Sequence, residues 1–447
     1  MTAFACTDAK DRDMFSDFEA WTQQTLWPAI KQKFGGTNIL DQDTSSLKVS
    51  FSTPRITSLH QDVKEAIVTE ARSLTKDDSF GEKRHLEIRL PTGMTYITGD
   101  YLAILPLNPR EVVNRTLRRF ELAWDAHIFI QTTGHTSLPV DMSVPVSDVL
   151  SSYVELSTTA TRRNISALAQ HTTDPKLTDE LRALGSDDDY ECRVRAKKVS
   201  VLDILEWYPS LTLPFEQFLA LLPPMRARQY SISSTPLVDP GVVTLTYSVL
   251  NEPALSGQGQ YVGVATSYLA CLRPGDKVQV AVRSANGGFR LPDVKDPTPC
   301  IFIGAGTGLA PLRSFVQERA IRGENASKAL LFFGCRSPEV DDLYREEFDQ
   351  WESQGAVKVY RAFSRKPEIS SGCKYVQALL LAERDTISSL WREGAKIFVC
   401  GSSKVADGVK DALVQIIVEE QAGMTKEMAE KWFEEQRNER YAVDVFD

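Results

Sequence analysis

The segment Cys300-Ile301-Phe302-Ile303-Gly304-Ala305-Gly306-Thr307-Gly308 constrains the fold of this chain more than any other. Its four leading residues form an unbroken apolar run, the pattern of a strand buried on both faces. Three alternating glycines then turn the chain, and beyond them Leu312, Phe315 and Val316 recur at helical spacing. A buried strand that feeds directly into a helix belongs to a parallel sheet covered by helices. Further strand-like stretches follow at Leu330-Leu331-Phe332-Phe333, Tyr360-Arg361-Ala362-Phe363 and Lys396-Ile397-Phe398-Val399, with helical stretches between them. The last third of the chain is therefore expected to be α/β. A glycine turn at a helix start presents free amides to an anion. Gly304, Gly306 and Gly308 form such a turn. The spacing is G-x-G-x-G and not the G-x-G-x-x-G of the dinucleotide fingerprint, so taken alone it is a weak signal.

The pattern upstream is different. Residues 66–72, 84–90 and 99–106 read as strands bounded by turns and breakers, and strand character resumes at 228–234 and 242–249. Between them the pattern is helical, marked by Val112, Val113, Leu117 and Phe120, by Val201, Ile204, Leu205 and Tyr208, and by Phe215, Phe218, Leu219 and Leu222. Those stripes read as core. Arg228, Tyr230 and Ser231 offer a cation, an aromatic plate and a hydroxyl within four positions. That set suits a flavin dinucleotide: a guanidinium for the pyrophosphate, a phenol ring to stack on the isoalloxazine and a hydroxyl beside its reactive nitrogen. An ordinary strand with a surface arginine fits those four positions equally well. In Gly263-Val264-Ala265-Thr266, Gly263 lets the backbone approach a pyrophosphate, and the following amides with the Thr266 hydroxyl can bind its oxygens.

The bulk numbers narrow the class. A length of 447 residues allows three domains, at roughly 150 residues each. The net charge of −9 argues against a nucleic-acid binder. Seven scattered cysteines with no C-x-x-C pair indicate neither a zinc site nor a disulfide framework, so no metal is expected and a reducing cytoplasm fits. Neither a signal peptide nor a membrane span is expected, since no apolar run reaches about 18 residues. Residues 14–34 read as an amphipathic helix on Phe15, Phe18, Trp21, Trp27, Ile30 and Phe34, with Gly35-Gly36 as its stop.

The Arg228 stretch, the Gly263 turn and the glycine turn ending in Leu309-Ala310-Pro311, found in this order, resemble the ferredoxin-NADP reductase superfamily. The resemblance runs over nearly the whole chain and is specific to the diflavin branch typified by NADPH–cytochrome P-450 reductase. It implies an antiparallel FAD-binding barrel from residues 49–108 and 223–291, with a helical connecting domain inserted at 109–222. A parallel α/β NADPH-binding domain then occupies 292–447. The helix at 14–34, with Thr7-Asp8-Ala9 before it, resembles the last helix of a flavodoxin-like FMN domain. Residues 1–36 are accordingly expected to be the remnant of such a domain, 37–48 a linker, and the chain a piece of a longer protein.

The same resemblance implies roles. FAD is held by Arg228, Tyr230, Ser231, Gly263, Val264, Ala265, Thr266 and Phe446; NADPH by Arg72, Gly304, Gly306, Thr307, Gly308, Arg336, Ser364, Arg365, Lys374, Tyr375 and Gln377. No acidic residue ends the strands to take a ribose 2′-hydroxyl, and Ser364, Arg365, Lys374 and Tyr375 resemble a 2′-phosphate clamp, so NADPH is expected over NADH. The family pattern places its lysine two residues before the tyrosine, where this chain has Cys373; Lys374 is shifted by one, which reverses its direction in an extended segment. Ser231, Cys400, Asp444 and Phe446 carry the implied catalysis, a hydride passing from NADPH to FAD. The family's terminal tryptophan is Phe446 here, a smaller ring that is easier to displace. The implied electron partners are an FMN domain and a haem monooxygenase, as in the reductase half of fused fungal P-450 monooxygenases. A stand-alone P-450 reductase, a sulfite reductase flavoprotein and a non-catalytic flavoprotein-like scaffold remain as alternatives.

Overall fold

Strand character upstream resolves into one antiparallel sheet. The computed structural model describes residues 18, 20–34, 54–76, 81–285, 288–293, 296–323, 327–421 and 423–446. Its chain divides into two compact units, Met1–Thr53 and Pro54–Asp447. In the larger unit β1 (Lys64–Ser73), β2 (Lys83–Arg89) and β3 (Tyr101–Ile104) come first. A block of helices follows, which carries a short ribbon of β4 (His127–Phe129) and β5 (Ser143–Pro145). Then come β6 (Arg228–Ser231), β7 (Val242–Ser248), a hairpin of β8 (Asn251–Pro253) and β9 (Gln260–Val262), and β10 (Lys277–Arg283). The sheet order is β6-β3-β10-β1-β2-β7, antiparallel throughout. Just past β6, Ile232 bridges Leu245 of β7, so the two edges meet and the sheet curls into a barrel. Alternation puts Leu86, Ile88, Leu102, Ile104, Val243 and Leu245 inside it.

The helical block leaves the sheet at Ile104 and returns at Arg228, and these two residues are register partners. Its helices include Arg110–Arg119, Arg162–Gln170, Pro175–Leu184, Val201–Trp207 and Phe215–Leu221. Thr161 with Asn164, and Ser200 with Asp203, close reciprocal capping boxes at two helix starts. The stripes read from the sequence are core: Val112, Val113, Leu117, Val201, Ile204, Leu205, Phe218 and Leu219 are buried together. The block is not wholly helical, since β4 and β5 pair within it.

The last part is a five-stranded parallel sheet of β11 (Cys300–Ala305), β12 (Ala329–Cys335), β13 (Lys358–Phe363), β14 (Lys396–Gly401) and β15 (Tyr441–Val445). Its order is β13-β12-β11-β14-β15. The chain runs outward from β11 to β13, then returns to the other side of β11. The order thus reverses between β11 and β14, and the crevice at the carboxyl ends of those strands is where such sheets bind ligands. Phe302, Phe315 and Phe398 fill one side of the sheet, and Ile303, Phe332 and Val399 the other.

In the smaller unit, Thr22–Leu26 is a π-helical turn that continues into an α-helix at Trp27–Phe34. Trp27, Ile30 and Phe34 are exposed. Phe15, the Thr7-Asp8-Ala9 loop, the Gly35-Gly36 stop and the linker at 37–48 lie outside the described residues. Among the described residues no helix is long and apolar enough to cross a membrane.

Candidate functional site

A cavity of about 750 Å³ opens between the barrel and the parallel sheet, lined by Tyr101, Tyr230, Ser231, Tyr247, Thr266, Thr307, Asp444 and Phe446 among others. Three strands converge on one carboxylate there. Ser231 Oγ on β6 donates to Asp444 Oδ2 at 2.9 Å, and Tyr101 Oη on β3 donates to Oδ1 at 2.9 Å. Cys400 Sγ, the register partner of Asp444 across β14 and β15, lies 3.8 Å from Oδ2. Burial first, and then the adjacent carboxylate, push the Cys400 thiol well above its ordinary range, so it is a neutral thiol and not a thiolate. Burial does the same to the phenols of Tyr230 and Tyr247, whose rings meet edge to face at 6.2 Å. The Phe446 amide donates to the Gly401 carbonyl at 3.1 Å, and its half-exposed ring lines the cavity mouth.

Two glycine turns bring helix starts to this region. Gly263 precedes the helix Val264–Cys271 with no side-chain cap, and a Cβ there would sit 3.0 Å from Leu250 Cβ. Val264 and Ala265 are buried in the first turn, and Thr266 faces the cavity. At the switch point, Gly306–Gly308 forms a 3₁₀ turn that runs into the helix Leu309–Arg322. A Cβ on Gly308 would lie 2.7 Å from the Cys400 carbonyl carbon and closer still to its oxygen. A Cβ on Gly304 would meet Leu312 Cδ1 at 2.8 Å, whereas one on Gly306 would reach nothing nearer than Lys83 Cε at 3.9 Å. Two uncapped helix starts, glycines where the backbone must come close, and a cavity walled by phenols and a carboxylate fit two dinucleotides.

The outer end of the crevice gathers the residues expected to take the 2′-phosphate. The Ser364 amide donates to the Cys335 carbonyl and the Arg365 amide to the Arg336 carbonyl, both at 2.9 Å, which sets the ends of β12 and β13 side by side. Ser370 bridges to the next segment: its Oγ accepts from the Phe363 amide and donates to the Cys373 carbonyl at 2.7 Å. Cys373 is buried, while Lys374 and Tyr375 are both exposed, the ammonium 5.4 Å from the ring centroid. The one-residue shift thus leaves Lys374 on the surface beside Tyr375.

Other expected residues stand differently. Arg228 does not line the cavity; its guanidinium forks onto Glu155 of the helical block, with NH2 to Oε2 at 2.8 Å, and Glu155 also accepts the Arg226 amide. Arg72 pairs with Glu70 at 2.7 Å and lies 5.8 Å from the Tyr344 ring. Gln377 packs toward the helix Ser403–Glu420, where a Cβ on Gly408 would sit 3.1 Å from its Cδ. His85 is buried and shares a 2.9 Å hydrogen bond with Tyr344 Oη, a structural partner. Burial first, then Arg72 and Arg313, hold His85 neutral, with its pKa lowered to about 3.

Sequence reasoning did not single out Tyr101 or Glu155. Only the folded sheet sets Tyr101 directly opposite Ser231, as β3 pairs with β6. Nothing local marks Glu155.

A family model described as an FAD binding domain matches residues 58–268, and one described as an oxidoreductase NAD-binding domain matches 302–411. A bifunctional cytochrome P450/NADPH–P450 reductase of Fusarium oxysporum is 52% identical over 450 residues, covering 98% of this chain and 42% of that protein. Self-sufficient cytochrome P450 monooxygenases of Phanerodontia chrysosporium and Exserohilum turcicum are 45% and 42% identical, covering 98% and 97% of this chain and 42% and 41% of theirs. The chain spans less than half the length of these relatives. The barrel, the parallel sheet and these matches together make the chain an FAD- and NADPH-binding reductase module of the diflavin reductase family.

Proposed function

We propose that this module takes reducing equivalents from NADPH at the Ser231, Cys400 and Asp444 cluster, for delivery to an FMN-binding flavodoxin-like domain and then a haem monooxygenase. The observation that carries this reading is the meeting of two hydroxyls and a thiol on one carboxylate, at the crevice between barrel and parallel sheet. Flavin bound there supplies the conversion of a two-electron hydride donor into a source of single electrons. Ser231 donates its one proton to Asp444, which leaves its oxygen lone pairs to accept a hydrogen bond from a ring N–H. Asp444 places a negative charge where a nicotinamide ring gains positive character. Cys400, neutral and fully buried, does not line the cavity itself and stands behind Asp444, against Oδ2. Phe446 lines the cavity and would have to move aside for a nicotinamide to approach a flavin held there.

Tyr230, Thr266 and the amides after Gly263 would hold FAD, together with Arg228 once it turns from Glu155. Gly304, Gly306, Thr307 and Gly308 would take the pyrophosphate of NADPH. Arg336, Ser364, Arg365, Tyr375 and Lys374 would take its 2′-phosphate, with Arg72 and Gln377 as outer neighbours. We assign the barrel to 49–108 and 223–291, the connecting block to 109–222, the NADPH part to 292–447 and an FMN-domain remnant to 1–36, with a cytoplasmic location. The test is a visible spectrum of the FAD-reconstituted chain, followed by ferricyanide reduction with NADPH and NADH in parallel. Flavin absorbance with turnover on NADPH supports the reading. A colourless protein inert to both nucleotides replaces it with a non-catalytic scaffold.

A further inference from the structure

The carboxylate of Asp444 has two oxygens and three donors. Ser231 and Cys400 both address Oδ2, and Tyr101 alone of the three addresses Oδ1. An aspartate χ2 torsion is broad and nearly two-fold, so a carboxylate held through one oxygen can rock or exchange its oxygens. A second donor on the other oxygen fixes the plane. Asp444 needs that help, because β15 ends the strand order of the parallel sheet and Asp444 is one residue from its end. Tyr101 can supply it because its own position is set. Its backbone pairs with Ser231 in β6 and with Arg283 in β10, and the preceding Asp100 is buried and paired with Arg290.

We propose that Tyr101 is a positioning residue for the hydride-transfer site: its hydroxyl fixes the Asp444 carboxylate plane and so commits Oδ2 to Ser231 and Cys400. The proposal rests on the reading of the Ser231, Cys400 and Asp444 cluster given above. Burial first, and then Asp444 itself, raise the Tyr101 phenol above its ordinary range, so it remains a donor throughout the neutral range. Cys400 pushes the Tyr101 phenol in the same direction, and the Arg290 guanidinium opposes it. Tyr101 is also a contact between the two sheets, so a purely structural role is the competing explanation. Its signature is different. A structural loss weakens cofactor binding, whereas a lost donor to a well-placed carboxylate lowers the reduction rate at unchanged cofactor affinity.

The test compares Tyr101→Phe, Tyr101→His, Asp444→Asn and the double variant Y101F/D444N in the FAD-loaded chain. FAD affinity is read by quenching of flavin fluorescence, NADP⁺ affinity by titration, and flavin reduction by NADPH in single turnover. Expected for Y101F are FAD and NADP⁺ affinities within about 2-fold of the parent and a reduction rate lower by roughly 5- to 10-fold, one hydrogen bond's worth. Y101H, which keeps a ring donor, recovers part of the rate, and Y101F/D444N is no slower than D444N alone. An unchanged rate in Y101F, with D444N crippled, overturns the role of Tyr101 and leaves the site reading standing. If D444N itself is as fast as the parent, the site reading fails, and Tyr101 with it. Loss of FAD from both Y101F and Y101H makes the residue structural and also overturns the proposal.

Discussion

Gly306 and Gly308 belong to one turn but exclude other residues for opposite reasons, and that difference is measurable. Gly308 has φ −60° and ψ −11°, a conformation any residue adopts, yet its Cβ would lie 2.7 Å from the Cys400 carbonyl carbon. Carbon atoms prefer about 3.5–4.0 Å, so Gly308→Ala overlaps backbone by about 1 Å. Backbone cannot change rotamer, so the cost sits at or above the upper end of overpacking, about 3 kcal/mol. Gly306 has open space but φ +56°, so Gly306→Ala costs only the left-handed penalty of about 1–2 kcal/mol. Its methyl group, however, projects into the cradle assigned to the NADPH pyrophosphate. G308A is thus expected to lose stability in urea unfolding, followed by far-ultraviolet circular dichroism without nucleotide, by about twice as much as G306A. G306A is expected to show the larger loss of NADP⁺ affinity per unit of stability lost, at least about 10-fold (one amide contact to an ionised oxygen). If G308A is as stable as the parent, β11 and β14 are not packed as described. If G306A binds NADP⁺ as tightly as the parent, the turn does not hold the pyrophosphate.

Arg365→Ala should raise the NADPH KM by about 10- to 100-fold, the worth of a hydrogen bond to a charged group, while NADH kinetics stay unchanged; equal loss on both nucleotides refutes the clamp. Glu155→Ala removes a buried partner of the one-third-exposed Arg228 side chain, so the FAD-free chain should lose about 2–3 kcal/mol. FAD should bind this variant no more weakly than the parent, because its pyrophosphate offers Arg228 a new partner; a collapse of FAD affinity in fluorescence titration excludes that contact. His85, with its pKa lowered from 6.5 to about 3, contributes stability in full above pH 6.5, and this is lost as pH falls toward 3 while the unfolded chain takes up the proton. The ceiling is about 5 kcal/mol at 1.36 kcal/mol per unit. His85→Gln should flatten the acid limb of stability against pH, and an unchanged limb counts against a neutral buried imidazole.

Where strong local pattern set the structure, the sequence was readable. Cys300-Ile301-Phe302-Ile303 and its glycines announced the parallel sheet because burial on both faces leaves no room for polar residues. Ser231, Cys400 and Asp444 were legible through resemblance, and the structure brings them together. Tyr101 was not legible as a partner of Asp444, since the two stand 343 positions apart and the bond exists only once barrel and parallel sheet meet. Glu155 is hidden for the same reason: a carboxylate in a loop reads as solvated until the fold buries it against Arg228. The ribbon of β4 and β5 escaped notice because three residues are too few to show a period of two. Cys373 shows how a one-residue shift is settled by side-chain direction: the thiol turns inward and Lys374 turns out.

Ile104 and Arg228, where the helical block leaves and re-enters the barrel, face each other across adjacent antiparallel strands. Topologically the block is therefore the loop of a hairpin, grown to the size of a domain. Its two ends arrive already closed by the sheet, so changing its length makes little demand on chain entropy, which rises only logarithmically with loop size. Modularity follows from that geometry: the insertion is a cassette that can be enlarged, shortened or exchanged without re-registering the barrel. The constraints that travel with it are its contacts back to the barrel: the Glu155 fork on Arg228, the Met225 amide on the Tyr153 carbonyl, Arg55 Nε on the Ser152 carbonyl, Trp207 Nε1 on the Ser256 carbonyl, and Tyr153 packed among Leu59, Val63 and Leu105. A chimera between relatives should be cut inside that register pair and should carry Glu155 across with its arginine.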